Sequence, residues 1–264
     1  MSGRQSTYII AEGACAHQGD WDLARRMCDI AMGARADCVK FQIFRPDLIP
    51  NISRDERKYL DKCEFSVDRF GKLREYCGKD IDFLLTPFDI PSVQNVVDLG
   101  LSTIKVPSGR LFDKPYMDAV KATGKKLIVS TGMCDDAEVR KARVDMPKGT
   151  TWLHCTSSYP CSYTDLNLSV LRSRLFDGLS DHTLSTIVPS IAVAMGAKFI
   201  EKHFTLRRTL PGPDMKVSLE PLELMDMIRL IRDVEIMMGD GIKKIEKSEQ
   251  DMMYRKVTDG KENK

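Results

Sequence analysis

Nowhere in the 264 residues does an apolar run approach the roughly 18–20 residues that a membrane-spanning helix needs. The opening segment, MSGRQSTYIIAEG, has no signal-peptide h-region, which points to a cytoplasmic protein. An excess of charge is missing too. With 40 basic against 38 acidic residues the formal charge is +2, so no nucleic-acid footprint is visible along the whole chain. The eight cysteines (Cys15, Cys28, Cys38, Cys63, Cys77, Cys134, Cys155 and Cys161) contain no C-x-x-C pair. A cytosolic chain of this length needs no staples, so they read as buried free thiols. No G-x-G-x-x-G follows the first apolar run, which counts against an open dinucleotide-binding sheet.

What is there is an ordinary globular composition, 42% hydrophobic and 30% charged, carrying a regular alternation. Apolar, β-branched runs at Tyr8–Glu12, Asp37–Ile43, Phe83–Pro87, Thr103–Ser108, Leu127–Thr131, Thr151–Cys155, Gly178–His182 and Phe199–Thr205 read as eight strands. Amphipathic stretches fill the intervals, as at Trp21–Ala34, Val67–Cys77, Pro91–Leu99, Pro115–Thr123, Ile187–Met195 and Pro221–Met238. Gly33, Gly100, Gly124, Gly196 and Gly239 stand where left-handed helix caps are expected. Eight β-α units in about 250 residues predict a single-domain α/β fold, a (β/α)8 TIM barrel over residues 1–240. The charged Arg45–Glu64 segment reads as an excursion over the barrel mouth, and residues 241–264 as a charged, fraying tail.

Each run ends in ionisable or hydroxyl side chains, and in a parallel barrel those ends surround the active site. Lys40 and Lys105 lie inside apolar runs, where an unpaired ammonium is costly. With Ser108, Ser130 and Ser180 they predict a cationic, hydroxyl-rich cup suited to a phosphate or a carboxylate. Of the four histidines, His182 and His203 end adjacent strands beside Asp181 and Glu201, which favours a divalent metal site over two core histidines. His17 and His154 also fall at strand ends, so a purely structural role for all four is not expected.

Nine motifs in order, from Ile9-Ile10-Ala11-Glu12 and Val39-Lys40-Phe41-Gln42 to Gly178-Leu179-Ser180-Asp181-His182-Thr183, Ile200-Glu201-Lys202-His203-Phe204-Thr205 and Pro211-Gly212-Pro213-Asp214, resemble the sialic acid synthase (N-acetylneuraminate synthase) family. That resemblance covers about residues 8 to 240. It implies a phosphoenolpyruvate-dependent synthase that condenses an N-acetylmannosamine-like aldehyde into a 2-keto-3-deoxy sugar acid with release of phosphate. It further implies that Lys40, Gln42, Thr86, Lys105, Ser108, Ser130, Ser157 and Ser180 grip phosphoenolpyruvate, and that Glu12, Tyr159 and Asp214 face the sugar. His182 and His203 would hold Mn2+ or Mg2+. Glu12, Lys105, Arg110, Glu201 and Tyr159 form the expected catalytic set.

Two departures qualify the match. The family commonly has a glutamate where Arg110 stands, and an asparagine where Ser157 stands. The family also continues into an antifreeze-like domain that caps the partner's barrel, whereas this chain ends after its eighth helix. A homodimer and a separately supplied cap are the matching expectations. Two other readings remain open: a Schiff-base aldolase using Lys105 or Lys40, and a barrel that binds phosphoenolpyruvate and metal without turnover.

Overall fold

The computed structural model describes residues 6–256; residues 1–5 and 257–264, the outer ends of the expected domain and tail, lie outside the described residues. Its strands are β1 (Tyr8–Ala14), β2 (Cys38–Ile43), β3 (Asp82–Pro87), β4 (Thr103–Val106), β5 (Lys126–Ser130), β6 (Thr151–Cys155), β7 (Gly178–Asp181) and β8 (Phe199–His203). They form one parallel sheet in the order β3-β2-β1-β8-β7-β6-β5-β4, and β3 and β4 meet across the remaining seam. The result is the nearly closed (β/α)8 barrel that the alternation predicts. Around it run α1 (Trp21–Gly33), α2 (Arg54–Cys63), α3 (Val67–Cys77), α4 (Ile90–Asp98), α5 (Lys114–Ala122), α6 (Asp136–Val144), α7 (Val188–Ala194) and α8 (Pro221–Met237). Among the described residues no helix is long and apolar enough to cross a membrane.

Differences from the sequence reading are local: the link from β6 to β7 carries 3-10 turns at Tyr163–Asp165 and Leu168–Ser173 in place of the expected α-helix. The excursion after β2 contains a true helix, α2, capped by Ser53, whose hydroxyl accepts from Glu56 N at 3.1 Å. Only Cys63 of α2 is buried, so the helix has almost no apolar stripe to read. Helix α6 likewise buries only Val139, and its capping box of Asp135 and Glu138 is the signal that marks it. β4 stops at Val106 because Pro107 and a 3-10 turn at Ser108–Arg110 follow. After α1 the left-handed residue is Arg35 (φ 62°) rather than Gly33, because the helix runs on through Gly33 to an αR cap at Ala34. Beyond Gly241 the described chain is exposed apart from Met253 and carries a 3-10 run at Lys247–Arg255.

Strand alternation turns this barrel into a site. Side chains two residues apart share a face, so every second residue points inward. Ile10, Cys38, Leu84, Ile128 and Leu153 form an apolar cluster in the interior. Two residues further along the same strands stand Glu12, Lys40, Thr86, Ser130 and Cys155, which line a cavity. One pleat therefore separates core from chemistry. The intervening residues face the helices, and there Lys202 and Asp181 pair at 2.6 Å with no side-chain exposure. The Asp181 carboxylate also accepts from Thr183 N at 2.9 Å and Thr183 Oγ1 at 3.0 Å.

Removing Lys202 leaves Asp181 as a buried, uncompensated charge. Lys202→Ala is expected to cost about 3–5 kcal/mol, read as a lower urea midpoint with an unchanged slope.

Candidate active site

The strand C-termini enclose a cavity of about 310 Å3. A larger one, about 610 Å3, opens at the strand starts, among Tyr8, Asp82, Thr103 and Lys126. It lacks convergent reactive groups, since Tyr8 Oη is already bonded to Asp82 at 2.6 Å. Polar side chains converge at the smaller cavity.

Glu201 is at its centre. Its Oε1 lies 3.5 Å from Lys105 Nζ and its Oε2 lies 3.5 Å from Lys40 Nζ. Ser180 Oγ donates to Oε1 at 2.9 Å. Lys40 also pairs with Glu12 and donates to Thr86 Oγ1 at 2.8 Å, while Lys105 donates to Ser130 Oγ at 2.8 Å. Glu12 is fixed in turn by Ala14 N, which donates to its Oε1 at 2.6 Å across a bulge in β1. These four charged side chains are at most 5% exposed. The sequence reading expects a cationic cup. The floor is instead two ammoniums against two carboxylates, because isolated charges cannot be held at this depth. Burial, with Lys105 nearby and Glu201 opposing, pushes Lys40 down to about 7. Burial alone would raise Glu201, but Lys105 and Lys40 outweigh it and bring the carboxyl down to about 2.

Above this floor the His182 and His203 rings lie 5.3 Å apart, with Tyr159 4.2 Å from His182. His182 Nδ1 is 2.8 Å from the Thr156 carbonyl, which fixes a proton there and leaves the lone pair on Nε2. Burial lowers His182, but Cys155 and the Thr156 carbonyl more than offset it, so this ring sits above its ordinary range. His203 Nδ1 is buried with no hydrogen-bond partner. Burial, with His182 and Lys40 beside it, holds His203 well below the usual range, as a neutral ring. One fixed tautomer and one orphaned ring nitrogen fit an open divalent site completed by substrate and water. Among the described residues no group of three or more His, Cys, Asp and Glu is arranged to hold a metal by itself.

Gln42, Ser108, Ser157 and Asp214 also line the cavity. Ser108 Oγ accepts from Gly132 N at 2.9 Å, and a Cβ at Gly132 would overlap Ser157 Oγ. Asp214 keeps part of its surface open, yet burial of the carboxyl raises it to about 6. Phe88, Pro107, Gly109, Met133 and Cys155 complete the lining, and none of them is a site candidate in the sequence reading. Cys155 was legible, being two residues beyond the inward Leu153.

Four expectations change. Arg110 does not line the cavity: its guanidinium pairs with Asp113 Oδ2 at 2.7 Å and lies 5.8 Å from the centre of the Tyr116 ring. The charge reversal at that position therefore falls outside the cavity. Asp181 does not support the histidine pair, because strand parity turns it outward to Lys202. His17 lies in an aromatic nest of Phe41, Phe65 and Phe70, its Nδ1 accepting from Gly19 N at 3.1 Å, and burial lowers it to about 4. His154 faces outward, where Nε2 lies 2.6 Å from the carbonyl of Leu166 in the 3-10 connection between β6 and β7. Neither lines the cavity.

Comparison with known proteins agrees with this geometry. Residues 27–243 match the NeuB family. The N,N'-diacetyllegionaminic acid synthase of Campylobacter jejuni is 39% identical over 272 residues, covering 93% of this chain and 81% of that protein. The enzyme of the same name from Legionella pneumophila is 38% identical over 266 residues, covering 90% and 74%. The crystal structure of an N-acetylneuraminic acid synthetase from Leptospira borgpetersenii, in complex with citrate, superposes with a TM-score of 0.87 at 31% identity, covering 96% of this chain and 94% of that one. This chain belongs to the NeuB family and is one of its barrel synthases.

Proposed function

We propose that this enzyme condenses phosphoenolpyruvate with an N-acylated amino-sugar aldehyde, giving a 2-keto-3-deoxy sugar acid and inorganic phosphate in a reaction that depends on a divalent cation. The observation that carries the reading is the pair of hydroxyl-bonded lysines, Lys40 with Thr86 and Lys105 with Ser130, tied to one carboxylate beneath two histidines. Two fixed ammoniums and several hydroxyls match a ligand bearing both phosphate and carboxylate. Related enzymes named as legionaminic acid synthases support an amino-sugar acceptor.

The chemistry follows from these groups. C3 of phosphoenolpyruvate bonds to the aldehyde carbon, whose oxygen takes a proton. Water adds to the cationic C2, and the C2–O bond to phosphate then breaks. Lys40 and Lys105 offset phosphate charge in binding and departure. Tyr159 and Asp214 bound the acceptor side. His182 and His203 would hold a Mn2+ or Mg2+ ion, which supplies Lewis acidity at the aldehyde oxygen. No imine is needed, so the lysines act by charge.

Phosphate release should require one member of a panel of N-acylated hexosamines and their phosphates. It should stop with EDTA and fall by about 100-fold or more in His203→Ala. Release without any aldehyde, or an imine trapped by borohydride with pyruvate, would contradict the proposal.

The ligand-free Lys40 loses its proton near pH 7, below its unfolded value, and a bound dianion restores it. Affinity for phosphoenolpyruvate should therefore fall above pH 7, by up to about tenfold per pH unit. Dissociation constants from pH 6.5 to 9 should show this slope in the wild type and a flat profile in Lys40→Met. A flat wild-type profile would count against the assignment.

A further inference from the structure

The acceptor side of the cavity depends on a junction of three segments remote from each other in sequence. Gln18, in the turn after β1, holds a left-handed backbone (φ 51°) that is uncommon for a non-glycine residue and carries strain. Its Nε2 donates to the Pro211 carbonyl at 2.8 Å and lies 3.3 Å from both Tyr59 Oη on α2 and the Cys15 carbonyl. Two carbonyl acceptors fix which end of the amide is the donor. Tyr59 Oη in turn donates to the Cys15 carbonyl at 3.4 Å.

Glycines allow the segments to close on one another. A Cβ on Gly19 would overlap the Lys62 carbonyl of α2, and one on Gly212 (φ 129°) would overlap Tyr59 Oη. Gly212 is flanked by Pro211 and Pro213, whose rings fix φ. Asp214 follows directly, and Ser218 Oγ holds its carbonyl at 2.7 Å. A displacement at Pro211 thus passes along a stiff segment to Asp214. Helix α2 buries only one side chain along its length, so these contacts and a small apolar cluster around Cys15, Phe44 and Cys63 are what hold it over the mouth.

We propose that Gln18 and Tyr59 are positioning residues that clasp the Pro211–Pro213 segment and set where Asp214 stands against the acceptor. The role in turnover rests on the phosphoenolpyruvate-condensing reading. The clasp itself does not.

The test uses Gln18→Met, of similar length without the amide, and Tyr59→Phe, which keeps the ring. Misplacing Asp214 should raise the KM for the aldehyde by about tenfold, with the dissociation constant of phosphoenolpyruvate changed by less than about twofold. Amide hydrogen exchange over residues 206–218 should quicken while the barrel strands stay as in the wild type. Equal losses for both substrates, or an unchanged aldehyde KM with quickened exchange, would overturn the positioning role. Unchanged exchange over 206–218 in both variants would overturn the clasp, and this can be read even if no aldehyde supports phosphate release in the wild type. That last result would refute the proposed function alone.

Discussion

The site depends on one carboxylate. Glu201 reaches Lys40 with one oxygen and Lys105 with the other, in a barrel interior from which water is largely excluded. Two ammoniums so close in a low dielectric would otherwise shed a proton, and Lys40 is already near that limit at about 7. Glu201 itself stays ionised because the lysines outweigh its burial. The hydroxyls of Thr86, Ser130 and Ser180 then fix directions that charge alone leaves loose. What results is a preorganised, nearly neutral floor that turns its donors toward the cavity without storing uncompensated charge.

Strand parity builds this floor from ordinary barrel rules. The inward apolar cluster of Ile10, Cys38, Leu84, Ile128 and Leu153 supports the polar ring one pleat above it. The outward residues between them serve the fold, and the Lys202–Asp181 pair is the clearest case. Two adjacent ion pairs of the same chemistry therefore do different work. Glu201 and the lysines face the cavity, while Lys202 and Asp181 lock β8 to β7 on the helix side.

Much of this was legible in sequence. The eight strands and the ring of polar residues that lines the cavity followed from apolar runs that end in polar side chains, and ordered motifs supplied the family. What was missed was missed for physical reasons. Asp181 and His154 adjoin inward residues, and adjacency in sequence overrode the alternation that turns them out. His17 belongs to a turn, where no periodicity shows that Phe41, Phe65 and Phe70 enclose it. Arg110 sits after Ser108-Gly109, but the 3-10 turn there sends its guanidinium to Asp113 and the Tyr116 ring. Helix α2 is mostly charged, and its contacts with Gln18 and Gly212 join segments remote in sequence, so no local pattern announces them. The cup looked cationic from sequence because distances decide which carboxylates neutralise which lysines.

The most direct test is the affinity of Glu201→Gln for phosphoenolpyruvate at pH 6, below the titration of Lys40 in the wild type. If the site were simply an attractive positive surface, removing a negative charge would tighten binding of an anion. If Glu201 keeps both lysines charged and aimed, binding should weaken by about tenfold or more, since each kcal/mol lost is roughly a factor of five. Weaker binding, with the fold intact by circular dichroism, is the predicted result. Equal or tighter binding would contradict the central role of this carboxylate.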